Sequence, residues 1–340
     1  MVTALNNERL STGSREICGY LIFALFPPLF VWLSSTFAPQ LNWNKVKKYF
    51  TIAVCIWGVV ATSQYIGGWK MVGYKIVSDG VFPRPKGFYS HPLTLAYATF
   101  LCWPLVLVWV TSRPKELLAW VCSLGLGVCI LLTSSRTVQV VSLIIMLYNI
   151  WNQIRGSKRI VAIATSVVLL LLLFSTKNPL SEKFYNTFSK EGVDRHSSYR
   201  DDRLAFWHAH ALMVAEKPFL GHGFGLDLKY RKKYYKQLNL ENFIKQYSAH
   251  NSFLQLYVYG GPILLLVICL WFFWHWFICH RLYPKSWLSS VVGQTTFGFA
   301  IISLTQNSFQ DSTVRSVLCI MTCFLWLFLF RKKRLKTHDL

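Results

Sequence analysis

The sequence predicts an all-α, polytopic integral membrane protein with about nine transmembrane helices and one large, partly helical outer loop. Three observations lead there. The 340-residue chain is 53% hydrophobic and only 15% charged, where an ordinary soluble domain carries about 25% charge. Its apolar residues lie in long blocks. Its basic residues, 36 Lys and Arg against 14 Asp and Glu for a net charge of +22, concentrate in alternate loops. This composition excludes a disordered chain, a fibrous repeat and a small disulfide scaffold, and argues against a soluble enzyme. In a soluble protein such a charge would suggest nucleic acid. Here no nucleic-acid partner is expected, because orienting loops and an anionic substrate account for the excess.

Stretches on the scale of a membrane span, about 17–25 residues, are read at 17–37, 50–67, 92–111, 117–134, 138–151, 160–176, 257–279, 288–306 and 314–330. The first does not read as a signal peptide. Arg9 and Arg15 before it are balanced by Glu8 and Glu16, and Pro39 follows the small residue Ala38. Pro27 and Pro28 predict a kink in it. One set of loops carries Lys45, Lys47 and Lys48; Arg113 and Lys115; Arg155, Lys158 and Arg159; Arg281 and Lys285; and the tail Arg331 to Lys336. The positive-inside rule makes this set cytoplasmic. The other set, 68–91, 134–137, 177–250 and 307–313, then faces out. The expected organisation is N-terminal transmembrane helices over 1–176, an outer loop with an amphipathic helix over 177–250, and C-terminal transmembrane helices with a basic cytoplasmic tail over 251–340.

The nine cysteines all sit in or beside apolar runs and include no Cys-x-x-Cys pair. They read as buried thiols rather than a disulfide framework or zinc site. In the outer loop, Asp201 to Glu216 reads as an amphipathic helix with Leu204, Trp207, Ala211 and Ala215 as its apolar stripe, ended by Pro218. Arg203 and His210, seven apart, share a face. Gly221-His222-Gly223-Phe224-Gly225 follows as a flexible turn. It is not a dinucleotide fingerprint, because no strand precedes it. Lys229, Arg231, Lys232, Lys233 and Lys236, interleaved with Tyr230, Tyr234 and Tyr235, form a solvated face, a headgroup-level belt or an anion site.

Four residues on the outer side could do chemistry. Arg136 lies in Ser134-Ser135-Arg136-Thr137 between two apolar spans. A charge there faces a cavity or a partner, or snorkels to the surface. Arg84 lies in the loop Pro83 to Pro92, beside Lys86 and His91. Arg203 opens the amphipathic helix. His250, in Ala249-His250-Asn251-Ser252 at the start of a span, is suited to general-base work near neutral pH or to capping the helix. Asn251 is a second possible cap, and Gly260-Gly261-Pro262 breaks or bends the helix further on. Arginine stays charged and binds phosphate bidentately. Several arginines and one histidine on one side suit a lipid pyrophosphate and a hydroxyl nucleophile. His196, His208, His210 and His222 have no carboxylate at metal-ligand spacing, so neither a metal nor another cofactor is expected.

The order of these motifs resembles the O-antigen ligase and polymerase superfamily over roughly residues 80–330. The resemblance rests on Arg84-Pro85-Lys86-Gly87-Phe88, Thr133-Ser134-Ser135-Arg136, Arg203-Leu204-Ala205-Phe206-Trp207, Lys217 to Gly225, and Ala249-His250-Asn251-Ser252-Phe253-Leu254 with Gly260-Gly261. It implies a glycosyltransferase of the bacterial inner membrane with a periplasmic loop and active site. By resemblance, Arg136 and Arg203 hold the diphosphate of an undecaprenyl-pyrophosphate-linked glycan, His250 is the catalytic base, and the reaction is metal-independent. Arg84 joins the substrate-binding set. The implied acceptor is a hydroxyl of lipid A–core. A growing glycan, as in a polymerase, and a protein hydroxyl, as in a protein O-oligosaccharyltransferase, are the alternatives. A lipid-linked-glycan transporter is the rival of another class, disfavoured because the spans hold almost no Asp or Glu. The chain departs from the family in its short N-terminal part.

Overall fold

The computed structural model describes residues 43–67, 77–79, 82–89, 91–153, 202–224, 227–239, 249–282, 286–311 and 314–323, with a few isolated positions besides. The expected spans 17–37 and 160–176 lie outside these residues, as do the segment 177–201 and the basic tail. The described residues are overwhelmingly helical. The exception is a two-stranded antiparallel hairpin, β1 (Val77–Asp79) and β2 (Phe82–Arg84), with Val77 opposite Arg84. Pro83 and Pro85 hide it in the sequence, because proline demotes a strand signal.

The chain divides into two compact units. One comprises Leu41–Gly192 and Cys279–Ile302; the other comprises Met1–Gln40, Val193–Ile278 and Ser303–Leu340. In the first, the helices are α1 (Trp43–Gly67), α2 (Pro92–Ser112), α3 (Leu117–Leu132) and α4 (Arg136–Gln153). In the second they are α5 (Asp202–Glu216) and α6 (Asp227–Gln237). The long α7 (Ser252–Leu282) ends, and α8 (Trp287–Thr305) largely lies, in the first unit. A 3-10 turn, Ser308–Gln310, and the apolar α9 (Val314–Cys323) return to the second. Four of these helices, α1, α2, α7 and α8, are long and apolar enough to cross a membrane, and α3 and α9 are apolar but shorter.

In the first unit α2 is buried along almost its whole length, from Leu95 to Val110. Helices α1 and α3 pack on each other and α3 packs on α2. Gly58 and Gly125 meet where α1 crosses α3; a Cβ on Gly125 would lie 2.9 Å from Val54 Cγ1, so only a small residue permits that approach. Helix α1 starts earlier than its apolar run, and Lys45, Lys47 and Lys48 form its first turns rather than a loop. Lys47 donates to Glu116 at 3.0 and 3.1 Å. Trp109 Nε1 donates to the same carboxylate at 2.8 Å, and Arg113 lies 3.8 Å from it. These contacts hold the Glu116 carboxyl below the usual range, the Trp109 bond most and Lys47 next. They tie α1, α2 and α3 together at one end. On α4 and α8, Asn149 and Gln294 exchange reciprocal amide bonds of 2.8 and 3.2 Å. Such interhelical pairs satisfy polar groups that lipid cannot.

Candidate functional site

Each unit places two of the four expected site residues: Arg84 and Arg136 in one, Arg203 and His250 in the other. In the first unit they lie at the end of the bundle away from Glu116. Helix α3 closes at Thr133, whose hydroxyl donates to Ile130 O at 2.9 Å. Ser134 then takes a left-handed backbone, φ 53°, and α4 begins at Arg136. The turn is fastened by Gln139, whose side-chain amide donates to Leu131 O at 2.9 Å. Arg84, at the end of β2, donates from Nε to Thr133 O at 3.1 Å. The two arginines therefore flank one helix–helix turn. Arg136 also stands at the N-terminus of α4, where the helix dipole favours an anion.

Gln64 on α1 holds the loop behind Arg84. Its Oε1 accepts from Lys86 N and Gly87 N, both at 2.9 Å, and its Nε2 donates to Gly87 O at 2.9 Å. Sequence reasoning missed Gln64, since a polar residue late in a span carries no local sign of a partner 22 residues on. His91 accepts from Leu93 N at 3.2 Å through Nδ1 and caps α2.

In the second unit, α5 buries Ala205, Phe206, Ala209 and Met213 against Tyr234 and Tyr235 of α6 and Val258 of α7. The expected stripe Leu204, Trp207, Ala211 and Ala215 is not the buried one: Leu204, Ala211 and Ala215 are exposed and Trp207 is half-buried. Small alanines pack closer than the larger apolar residues one position away. His210 is fully buried, so it does not share Arg203's half-buried position. Its Nδ1 lies 2.7 Å from Phe206 O, which as an acceptor puts the proton on Nδ1. Burial above all, and the nearby Arg231 guanidinium less so, push the His210 pKa down to about 4 against the opposing bonds from Phe206 and Gln255. It stays neutral at physiological pH.

His250 has a left-handed backbone, φ 48°. Its ring stacks on Phe206, centroids 5.7 Å apart and planes 27° apart, one helical turn from Arg203. The cap of α7 is not His250 but Asn251, whose Oδ1 accepts from Leu254 N at 3.0 Å. The preceding residue is held by Gln255, whose Oε1 accepts from Ala249 N at 3.1 Å. Ser252 is buried; its N–H and hydroxyl both donate to Gln306 O, at 3.1 and 3.0 Å, and its Oγ accepts from Phe309 N at 3.1 Å. The histidine thus sits on a backbone fixed from both sides.

Gly221 to Gly223, expected as a flexible turn, is docked onto α7. The helix breaks at Gly260 (φ −137°) and Gly261 (φ 65°) before Pro262. Proline has no N–H, so Val258 O loses its i+4 donor, and the kink deprives Tyr259 O of its own. His222 N donates to Val258 O at 2.7 Å and Gly223 N to Tyr259 O at 2.9 Å. Gly221 and Gly223 both have positive φ, 65° and 85°, which makes glycine the favoured residue there. His222 Nε2 also reaches Met213 O at 2.8 Å, and its ring packs on Tyr230 at 4.1 Å. Neither buried histidine is placed as a ligand, and among the described residues no cluster of His, Cys, Asp or Glu could hold a metal.

The basic stretch after the turn is amphipathic. Tyr234 and Tyr235 of α6 are buried, while Lys229, Lys232, Lys233 and Lys236 are exposed. Glu216, at the end of α5, accepts from Tyr234 OH at 2.5 Å and Lys233 Nζ at 3.3 Å. The tyrosine bond first, and then Lys233, hold its carboxyl below the usual range.

Residues 120–269 match the family model described as O-antigen ligase. The resemblance read from the sequence is therefore found over that stretch, less than half of the chain, and the family it points to implies a glycosyltransferase-type enzyme of the membrane. Arg136, Arg203 and His250 lie inside the match, and Arg84 lies outside it. No curated protein matches the chain.

Proposed function

We propose that this protein is an O-antigen ligase of the bacterial inner membrane. It moves a preassembled glycan from undecaprenyl pyrophosphate to a hydroxyl of lipid A–core, with the active site facing the periplasm. The observation that carries the reading is His250, seated on the Phe206 ring one turn from Arg203 and relieved of helix capping by Asn251. A histidine used only to end a helix would be making the bond that Asn251 makes.

In this reading the imidazole takes the proton of the acceptor hydroxyl, and the oxygen attacks C1 of the first sugar. The bond from C1 to the diphosphate oxygen breaks, and undecaprenyl pyrophosphate leaves with the electron pair. Arg136 and Arg203, with Arg84, take the phosphate oxygens and neutralise the charge that grows on the leaving group. No metal is required, because arginines supply that charge.

General-base catalysis contributes about 10²–10⁴-fold. His250→Ala and His250→Asn should both lose turnover in that range, since an amide can hydrogen-bond but cannot take a proton. The assay is glycan transfer by purified protein in detergent, with lipid-linked donor and core acceptor, with and without chelator. Wild-type turnover by His250→Asn, or loss of wild-type activity to chelator, removes the mechanism. The acceptor is decided in a deletion strain by gel of its surface polysaccharide. A ligase strain has core without long chains, whereas core bearing a single repeat unit marks a polymerase.

A further inference from the structure

We propose that the tip of the α5–α6 turn, Phe219 and Leu220, is a membrane anchor that inserts among the phospholipid acyl chains at the hydrocarbon boundary. The tip belongs by sequence to the polar region between spans, yet both side chains are exposed, at 76% and 79%. Apolar pairs this exposed outside a span mark an interaction surface. Its chemistry is that of lipid rather than of a polar partner, because of where the backbone beneath it is pinned.

The pinning is to the kink of α7. A Cβ on Gly261 would overlap the Phe219 carbonyl, so the two backbones are in contact there. The bonds from His222 N and Gly223 N to Val258 O and Tyr259 O fix the turn two and three residues beyond the tip. Beyond the kink, the arm 262–282 runs about 31 Å at 1.5 Å per residue, the thickness of a bilayer's hydrocarbon core. His280 and Arg281 lie in its last turn, as befits the opposite interface. Its first turn exposes Ile263, at 66%, and the exposed face continues through Leu266, Val267 and Leu270. The tip therefore stands level with the start of a lipid-facing surface and extends it sideways.

Lys217 completes the pattern. Its ammonium turns back over the Tyr230 ring, 5.2 Å from the centroid, and reaches the Tyr230 hydroxyl at 3.5 Å. A lysine bent toward an aromatic beside an apolar tip is the arrangement of a headgroup-level anchor. The wedge would hold α5, and with it Arg203, at the bilayer surface. The anchor itself does not depend on the catalytic reading, because its test involves no glycan.

The experiment uses the full chain in nanodiscs of phosphatidylethanolamine and phosphatidylglycerol. A diazirine amino acid is placed singly at positions 219, 220, 267 and 236, and photoproducts are identified by mass spectrometry. Phospholipid adducts at 219 and 220, as at the lipid-facing position 267, support the anchor, with position 236 on the basic helix giving the water-quenched product. Water-quenched product at 219 and 220 while 267 still captures lipid overturns it. So do crosslinks at 219 and 220 that lead only to another segment of the chain.

Discussion

Replacing Gly221 by alanine tests whether the turn after α5 is what satisfies the broken helix. Two costs apply. The left-handed backbone at φ 65° costs an L-residue about 1–2 kcal/mol. The new Cβ would also lie 2.7 Å from Val258 O, 2.8 Å from Gly260 N and 2.8 Å from Tyr259 C. All three are backbone atoms and cannot rotate away, so the turn must lift. It then loses the bonds of His222 N and Gly223 N to Val258 O and Tyr259 O, leaving two buried carbonyls unpaired at about 1–3 kcal/mol each. The total is about 3–8 kcal/mol, mostly from the carbonyls. Gly156 supplies the control, since its φ is 67° but nothing lies within 4 Å of its Cβ position. Gly156→Ala carries only the backbone cost. Thermal unfolding in detergent, followed by fluorescence-detected size exclusion, should show a much larger loss for Gly221→Ala than for Gly156→Ala. Equal midpoints for the two variants would refute the claim that the turn completes the helix.

Arg136→Lys and Arg203→Lys should each lose most glycan transfer while still accumulating in the membrane, because lysine cannot reproduce the bidentate fork; near-normal transfer by both would show that they bind no diphosphate. Tyr234→Phe removes the strongest bond to Glu216 and should cost about 1 kcal/mol at neutral pH. A carboxyl held low when folded contributes stability above its unfolded pKa and loses it as pH falls through the folded one. The acid limb of the wild-type stability profile should therefore lie lower than that of Tyr234→Phe, as read by melts across pH 3 to 6; superimposed profiles would dismiss the bond as a stabiliser. In a background with exposed Cys18 and Cys269 replaced by serine, Gln237→Cys should label with an impermeant thiol reagent from outside the inner membrane and Ser157→Cys should not. The reverse pattern would invert the proposed orientation.

The parts legible in the sequence were those whose signal is local. The helix after Asp201 was readable from its acidic start and the proline after it, and the structure begins it at Asp202. The Asn251 cap and the break at Gly260-Gly261-Pro262 were likewise written in single residues. What failed needed knowledge of a distant neighbour. The apolar stripe of α5 was assigned to Leu204, Trp207, Ala211 and Ala215 on helical spacing, but α6 approaches closely enough that Ala205 and Ala209 face it. The lysines of α1 were placed in a loop because charge interrupts an apolar window, although lysine is a good helix former and Lys47 finds Glu116 on another segment. Gly221 to Gly223 looked flexible because its partners are the carbonyls of Val258 and Tyr259, some 36 residues away.

These long-range pairings explain why three otherwise unrelated motifs belong together. A proline in a span leaves a carbonyl unpaired, at a cost of several kcal/mol in lipid, and a helix kinked at Gly260-Gly261-Pro262 leaves two. The turn Gly221-His222-Gly223 supplies both donors from its backbone, and it can approach only because Gly221 and Gly261 lack side chains. The docked turn fixes the end of α5, and α5 then presents Phe206 to His250. The Gly-Gly-Pro break and the Gly-His-Gly turn are thus joined backbone to backbone. Together they set the platform on which the histidine rests, so damage to the kink should reach His250 through the position of α5.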